Sequence, residues 1–118
     1  MPAIRIKRIY EPPAARDGLR ILVDRVWPRG VSKQKAALDA WHKDVAPSTE
    51  LRKWFGHKPE RWAEFRNLYR RELKTNPALE ELQTFIKGRH ATLIFSAHDE
   101  ERNQAVVLAE VLRGQRGG

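Results

Sequence analysis

Residues 91–97 read ATLIFSA, a run of strand length that is apolar almost throughout. Strands with one wet face alternate polar and apolar residues, whereas strands covered on both faces of a parallel sheet read as near-continuous apolar runs. ATLIFSA is therefore read as an inner strand. Helical patterns flank it. Upstream, PALEELQTFIKG (77–88) opens on the Asn76–Pro77 cap and first-turn pair, turns Leu79, Leu82 and Ile86 inward, and stops at Gly88. Downstream, ERNQAVVLAEVL (101–112) carries Ala105, Leu108, Ala109 and Leu112 on one stripe, with Val107 and Val111 beside it.

Farther out the same alternation continues. PERWAEFRNLYRRELK (59–74) starts on Pro59 and places Trp62, Phe65, Tyr69 and Leu73 at helical spacing. Ser48 caps TELRKWF (49–55), which Gly56 ends. AIRIKRIY (3–10) alternates imperfectly, as a partly exposed strand does. EPPAARDG (11–18) is a loop with Asp17-Gly18 as its turn, and LRILVDRVW (19–27) reads as a more buried strand. SKQKAAL (32–38) is expected to be a short helix capped by Ser32, and DAWHKDVA (39–46) a third strand. Strands alternating with helices predict one α/β domain over residues 1–118. Its sheet would be small, four-stranded, mainly parallel and covered by helices. Strand order is not readable from the pattern.

Composition narrows the chemistry. The 118 residues include no cysteine, which excludes thiol catalysis, disulfides and thiolate metal sites. The four histidines lack metal-ligand spacing and no glycine-rich phosphate loop is present, so neither a metal nor a cofactor is expected. No segment has the apolar length of a membrane span or a leader, and a soluble cytoplasmic protein is the expectation. The formal net charge of +8 favours anionic partners in general.

In open α/β sheets, ligands bind beyond the carboxyl ends of the strands. Three expected strand ends carry polar groups, in LVDRVWPRGVSK (22–33), KDVAPST (43–49) and SAHDEERN (96–103). In a parallel sheet they share a rim, which would bring Asp24, Arg25, Arg29, Asp44, Ser48, Ser96, Asp99 and Asn103 together. Arg25 and Arg29 would hold a phosphate or carboxylate, because guanidinium groups match such anions in a bidentate way. The helix start at Ser48 would add backbone N–H groups, whereas Asp99, Glu100 and Glu101 already make their own helix start negative. The plainer reading is that Asp24 and Arg25 brace the loop while Trp27 and Pro28 cover the core edge. His98–Asp99 reads either as a base with its orienting acid or as a helix cap. Ser96 lacks a nucleophile-elbow setting.

A second basic feature lies on the long helix. Arg66, Arg70 and Lys74 recur every four residues, with Arg61 and Arg71 nearby. They would track a nucleic-acid backbone, or form a solvated face diluted by Glu60, Glu64 and Glu72. Trp41, Trp54, Phe55 and Trp62 would stack bases in the first case and fill the core in the second.

LVDRVWPRGVSK, WHKDVAPSTELRKWFGHKPERW and DEERNQAVVL, in that order, resemble the YeaO-like group of the bacterial family called domain of unknown function 488. The resemblance runs from Arg8 to about Leu112. It implies a small cytoplasmic α/β protein and carries no established reaction, substrate or cofactor. Longer relatives of the wider family look to carry Cys-His-Arg where this chain has Asn103-Gln104-Ala105, and the YeaO-like group usually has Asn-His-Ala. A thiol or imidazole mechanism at that point cannot operate here. The matched motif positions are Asp24, Arg25, Trp27, Pro28, Arg29 and Gly30, then Lys43, Asp44, Pro47 and Ser48, then His57, Asp99 and Asn103. The functional expectation is a strand-end cleft formed by Asp24, Arg25, Arg29, Asp44, Ser48, Asp99 and Asn103. It would accept a small anionic, nucleotide-like or phosphorylated ligand. The alternative is a non-catalytic nucleic-acid-binding or regulatory module using Arg66, Arg70 and Lys74.

Overall fold

The computed structural model describes residues 2–117. The strands are β1 (Ile4–Arg8), β2 (Leu19–Leu22), β3 (Ala40–Trp41) and β4 (Ala91–Phe95). The helices are α1 (Lys33–Ala36), α2 (Thr49–Phe55), α3 (Trp62–Lys74), α4 (Pro77–Ile86) and α5 (Gln104–Gly117). All strands run parallel in the order β1-β4-β2-β3. The expected α/β architecture is present, and ATLIFSA explains the order. Every residue of β4 is buried, so the run occupies the place between β1 and β2 where both faces and both edges are covered.

The two faces are covered differently. One carries α2 to α5, whose Phe65, Tyr69, Leu82 and Leu108 meet Ile21, Val23, Leu93 and Phe95 of the sheet side. The other has only the single turn α1 and loops, with Ala36, Trp27, Val31 and Leu38 against Ile9, Leu22 and Ile94. Its remaining area is polar. Asp17 and Arg20, both 4% exposed, pair there at 2.6 Å, and Lys7 reaches the same carboxylate at 3.1 Å. Gly18 brings this corner against β4. It has φ +65°, and a Cβ there would lie 2.3 Å from the His90 carbonyl oxygen, so no other residue fits.

Several elements are shorter than expected, and the long helix starts at Trp62 after a 3-10 turn at Pro59–Arg61. Three of the shifts have a clear local reason. The strand expected over 19–27 ends its ladder at Leu22, with Val23 adding one bond to the Ile94 carbonyl. Beyond it the Asp24 carbonyl accepts the Trp41 indole N–H at 2.7 Å instead of a strand partner. The strand expected over 39–46 is only Ala40–Trp41, followed by a 3-10 turn at Lys43–Val45. Side chains take the carbonyls that a longer strand would have offered. Asn76 donates to Asp44, Tyr69 to Val45, and Arg25 to both Ala46 and Pro47. The last helix begins at Gln104 rather than Glu101, because Asn103 is its cap and accepts the Val106 N–H.

Candidate functional site

Beyond the ends of β2 and β4 lies a cleft of about 160 Å³. The hydrogen-bonded Asp24, Ser96 and Gln104 form a polar wall; Val26, Pro47, Phe55 and Phe65 add apolar surface; Arg25, Arg52 and His57 also line it. The strands dictate this convergence. Val23 and Phe95 end their apolar runs on the same rim, and the next residues, Asp24 and Ser96, are the first polar ones.

Asp24 is the buried charge of the wall. Its Oδ2 accepts the Ser96 N–H at 3.0 Å and the Ser96 hydroxyl at 2.6 Å, and its Oδ1 accepts the Gln104 side-chain amide. Burial pushes its pKa above the ordinary carboxylate value, against the opposing pull of the Ser96 and Gln104 donors. No cation pairs with it among the described residues.

Arg25 is part brace and part cleft wall. Its Nε and Nη2 donate to the Pro47 and Ala46 carbonyls at 3.3 and 3.0 Å, and its Nη1 lies 3.9 Å from Asp44. Arg52 is exposed, and its guanidinium makes no hydrogen bond or ion pair with the rest of the described protein. His57 follows Gly56 in a second left-handed conformation, φ +56° after φ +50°, with its ring 5.9 Å from that of Phe55. A non-glycine residue held there stores local strain of about 1–3 kcal/mol, a feature that clusters at ligand-contacting positions.

Of the residues expected at the strand ends, Asp24, Arg25, Ser96 and Asn103 line the cleft; Arg29, Asp44, Ser48 and Asp99 do not. Arg29 points away as an exposed side chain, and its carbonyl accepts the Tyr10 hydroxyl. Asp44 is exposed, its side chain retaining 78% of its accessible surface. Ser48 caps α2 by accepting the Leu51 N–H, while its own N–H and hydroxyl donate to Glu72 at 2.9 and 2.6 Å. Glu72 thus supplies from α3 the negative charge that the start of α2 attracts. Replacing Ser48 with alanine removes both the cap and this link, and should cost about 1–2 kcal/mol in urea denaturation. Asp99 is a cap: its Oδ1 accepts the Glu101 and Arg102 N–H groups, and those bonds hold its pKa below the ordinary value despite some desolvation. Asn103 is buried, donating to the Asp99 carbonyl as well as capping α5.

The basic helix is partly neutralised. Arg66 binds Glu110 of α5 through two bonds of 3.1 and 2.6 Å, and Arg70 approaches the same carboxylate at 3.7 Å. Arg70 and Lys74 line a separate groove of about 630 Å³ with Arg71, Asn67, Glu80 and Gln83. Trp62 and Phe55 pack with Phe65 in an aromatic cluster.

Sequence reasoning missed Arg52, Gln104 and the role of Glu72. Arg52 carried a usable signal, lying one turn beyond Ser48 on a helix that starts at the rim. Gln104 had one too, as the place where the resemblance departs. Glu72 had none, because only the fold brings it to Ser48.

Parallel strands, one-sided helical cover and a polar cleft at the strand ends define a small α/β protein. The chain belongs to the family described as the inactive DUF488-N3 subclade, whose model matches residues 3–116. It is 45% identical over 111 residues to the uncharacterised protein YeaO of Escherichia coli, covering 93% of this chain and 96% of that one. It is 42% identical over 112 residues to an uncharacterised protein of Mycobacterium tuberculosis, covering 95% of both. No solved structure matches it.

Proposed function

We propose that the protein binds a small anion, a carboxylate or phosphate, in the strand-end cleft, and that it acts by binding rather than by covalent catalysis. The observation that carries this reading is Arg52, a guanidinium without a partner among the described residues, on a cleft that it shares with Arg25. Guanidinium groups present paired N–H donors matched to planar or tetrahedral anions, and a cation at a partly apolar mouth is screened less than one in open water. The family description "inactive" supports binding over turnover. So does Asn103, whose amide is committed to the backbone on both sides. A cytoplasmic setting belongs to the same proposal, since a chain without cysteine suits a reducing compartment. Among the described residues no helix is long and apolar enough to cross a membrane. The nucleic-acid reading ranks behind the cleft, because Arg66 is already paired with Glu110.

A thermal-shift titration with phosphate and short carboxylates tests the reading. A ligand at a hundred times its Kd should stabilise the wild type by about 2.7 kcal/mol. Arg52→Ala should bind at least tenfold more weakly, while its unliganded stability stays within about 0.5 kcal/mol, as for an unpartnered surface residue. Failure of every anion to shift the wild type, or an undiminished shift in Arg52→Ala, refutes the proposal.

A further inference from the structure

The buried and the more exposed polar side chains of the cleft offer opposite chemistry. At the wall, Ser96 spends its N–H and hydroxyl proton on Asp24, and Gln104 turns its NH₂ to the same carboxylate. What remains for a ligand is acceptors: the Gln104 amide oxygen, the second lone pair of Asp24 Oδ1 and the Ser96 oxygen. The more exposed Arg52 and the Nη1 of Arg25 offer only donors. Val26, Pro47, Phe55 and Phe65 add apolar surface to the same cleft.

Charge sharpens the contrast. Asp24 is 8% exposed and has neutral partners only, although buried carboxylates are normally paired with a cation. Its next residue, Arg25, is turned to the carbonyls of Ala46 and Pro47 instead. A cation supplied from the cleft side would complete the set. Size then limits the bearer. At about 160 Å³ the cleft lies below the roughly 300–1,000 Å³ of sites that enclose drug-sized ligands, so a whole nucleotide does not fit inside.

Resting on the anion-binding reading, we infer that the ligand is a small zwitterion of the amino-acid type. Its anionic group meets Arg25 and Arg52, its ammonium meets Asp24 and Gln104, and a short carbon body lies against the apolar surface of Val26, Pro47 and the stacked Phe55 and Phe65 rings. The ammonium donates N–H bonds to the Gln104 oxygen and to Asp24 Oδ1, and no covalent step is involved.

Isothermal titration of the whole protein separates the possibilities. The zwitterions are glycine, alanine, β-alanine, γ-aminobutyrate and phosphoethanolamine, which vary the spacing and the anion. Propionate and inorganic phosphate carry the anion alone, and propylammonium the cation alone. At least one zwitterion should bind ten times more tightly than every single-charge probe. That ratio should collapse in Gln104→Met or Asp24→Asn while propionate affinity holds. Gln104→Met keeps the readout open if Asp24→Asn, which disturbs Ser96, fails to fold. Propionate or phosphate binding as tightly as every zwitterion overturns this inference and leaves the anion site standing. So does a preference that survives in every variant that folds. Binding of no probe overturns both.

Discussion

Replacing Asp17 with alanine should lower stability by about 3–5 kcal/mol, read as a fall in the urea midpoint at unchanged slope. The expectation comes from the sheet face that lacks α2 to α5. There the Asp17 carboxylate accepts the Ala14 N–H at 2.9 Å, the Lys7 ammonium at 3.1 Å and the Arg20 guanidinium at 2.6 Å. Arg20 also donates to the Ala36 and Ala37 carbonyls, so one cluster ties β1, β2 and α1 together. Without the carboxylate, Arg20 stays buried as a cation with another cation beside it. Natural domains hold only about 5–15 kcal/mol in total, so such a loss brings the chain near unfolding. The double variant Asp17→Leu/Arg20→Met should recover most of it, because an apolar pair leaves no orphaned charge. Acid should mimic the single variant. Burial alone would raise the Asp17 pKa, but the Ala14, Arg20 and Lys7 bonds outweigh it and hold it below the ordinary value. Its stabilisation is therefore full above about pH 4, the unfolded carboxylate's range, and is lost as pH falls through the folded value. Asp24 has the opposite sign, because its raised pKa makes the folded state bind that proton more tightly.

The fold was legible where one physical cause acts alone. ATLIFSA is apolar because it is enclosed on every side, and the stripes of α3 and α4 follow from helical spacing. The strand end after Val23 was legible for the same reason, since the first polar residue after a buried run lies at the rim. Illegible were the features set by contacts distant in sequence. The segment 39–46 reads as a strand, yet Arg25, Tyr69 and Asn76 take the carbonyls of Asp44, Val45 and Ala46. Ser48 reads as a free helix start, yet Glu72, 24 residues on, already meets it. Arg29 lies close enough to Arg25 in sequence to suggest a pair, but after Asp24 the chain leaves the sheet and carries Arg29 away from the cleft. Arg52, not Arg29, lines the cleft together with Arg25. Local pattern located the rim, and tertiary contacts decided which of its residues stay free.

Phe65→Ala should give the second large loss, about 3–5 kcal/mol, together with loss of the proposed ligand binding in the cleft. Phe65 is 2% exposed and stacks on Phe55 with ring centres 4.3 Å apart, and both rings line the cleft. Tyr69, one turn on, lies 5.9 Å from Phe65 and holds the Val45 carbonyl through its hydroxyl. The stripe that seats α3 on the sheet therefore also lines the cleft that Arg52, on α2, shares with Asp24. Phe65→Leu keeps an apolar side chain in that space and should cost less, with weakened binding. Urea denaturation and a zwitterion titration on both variants read the two effects separately. A cost below about 1 kcal/mol for Phe65→Ala would mean that α2 and α3 close over the vacated volume. In that case the stacked rings would not be what holds the cleft open, and its width would have to come from the side-chain bonds to carbonyls 44–47.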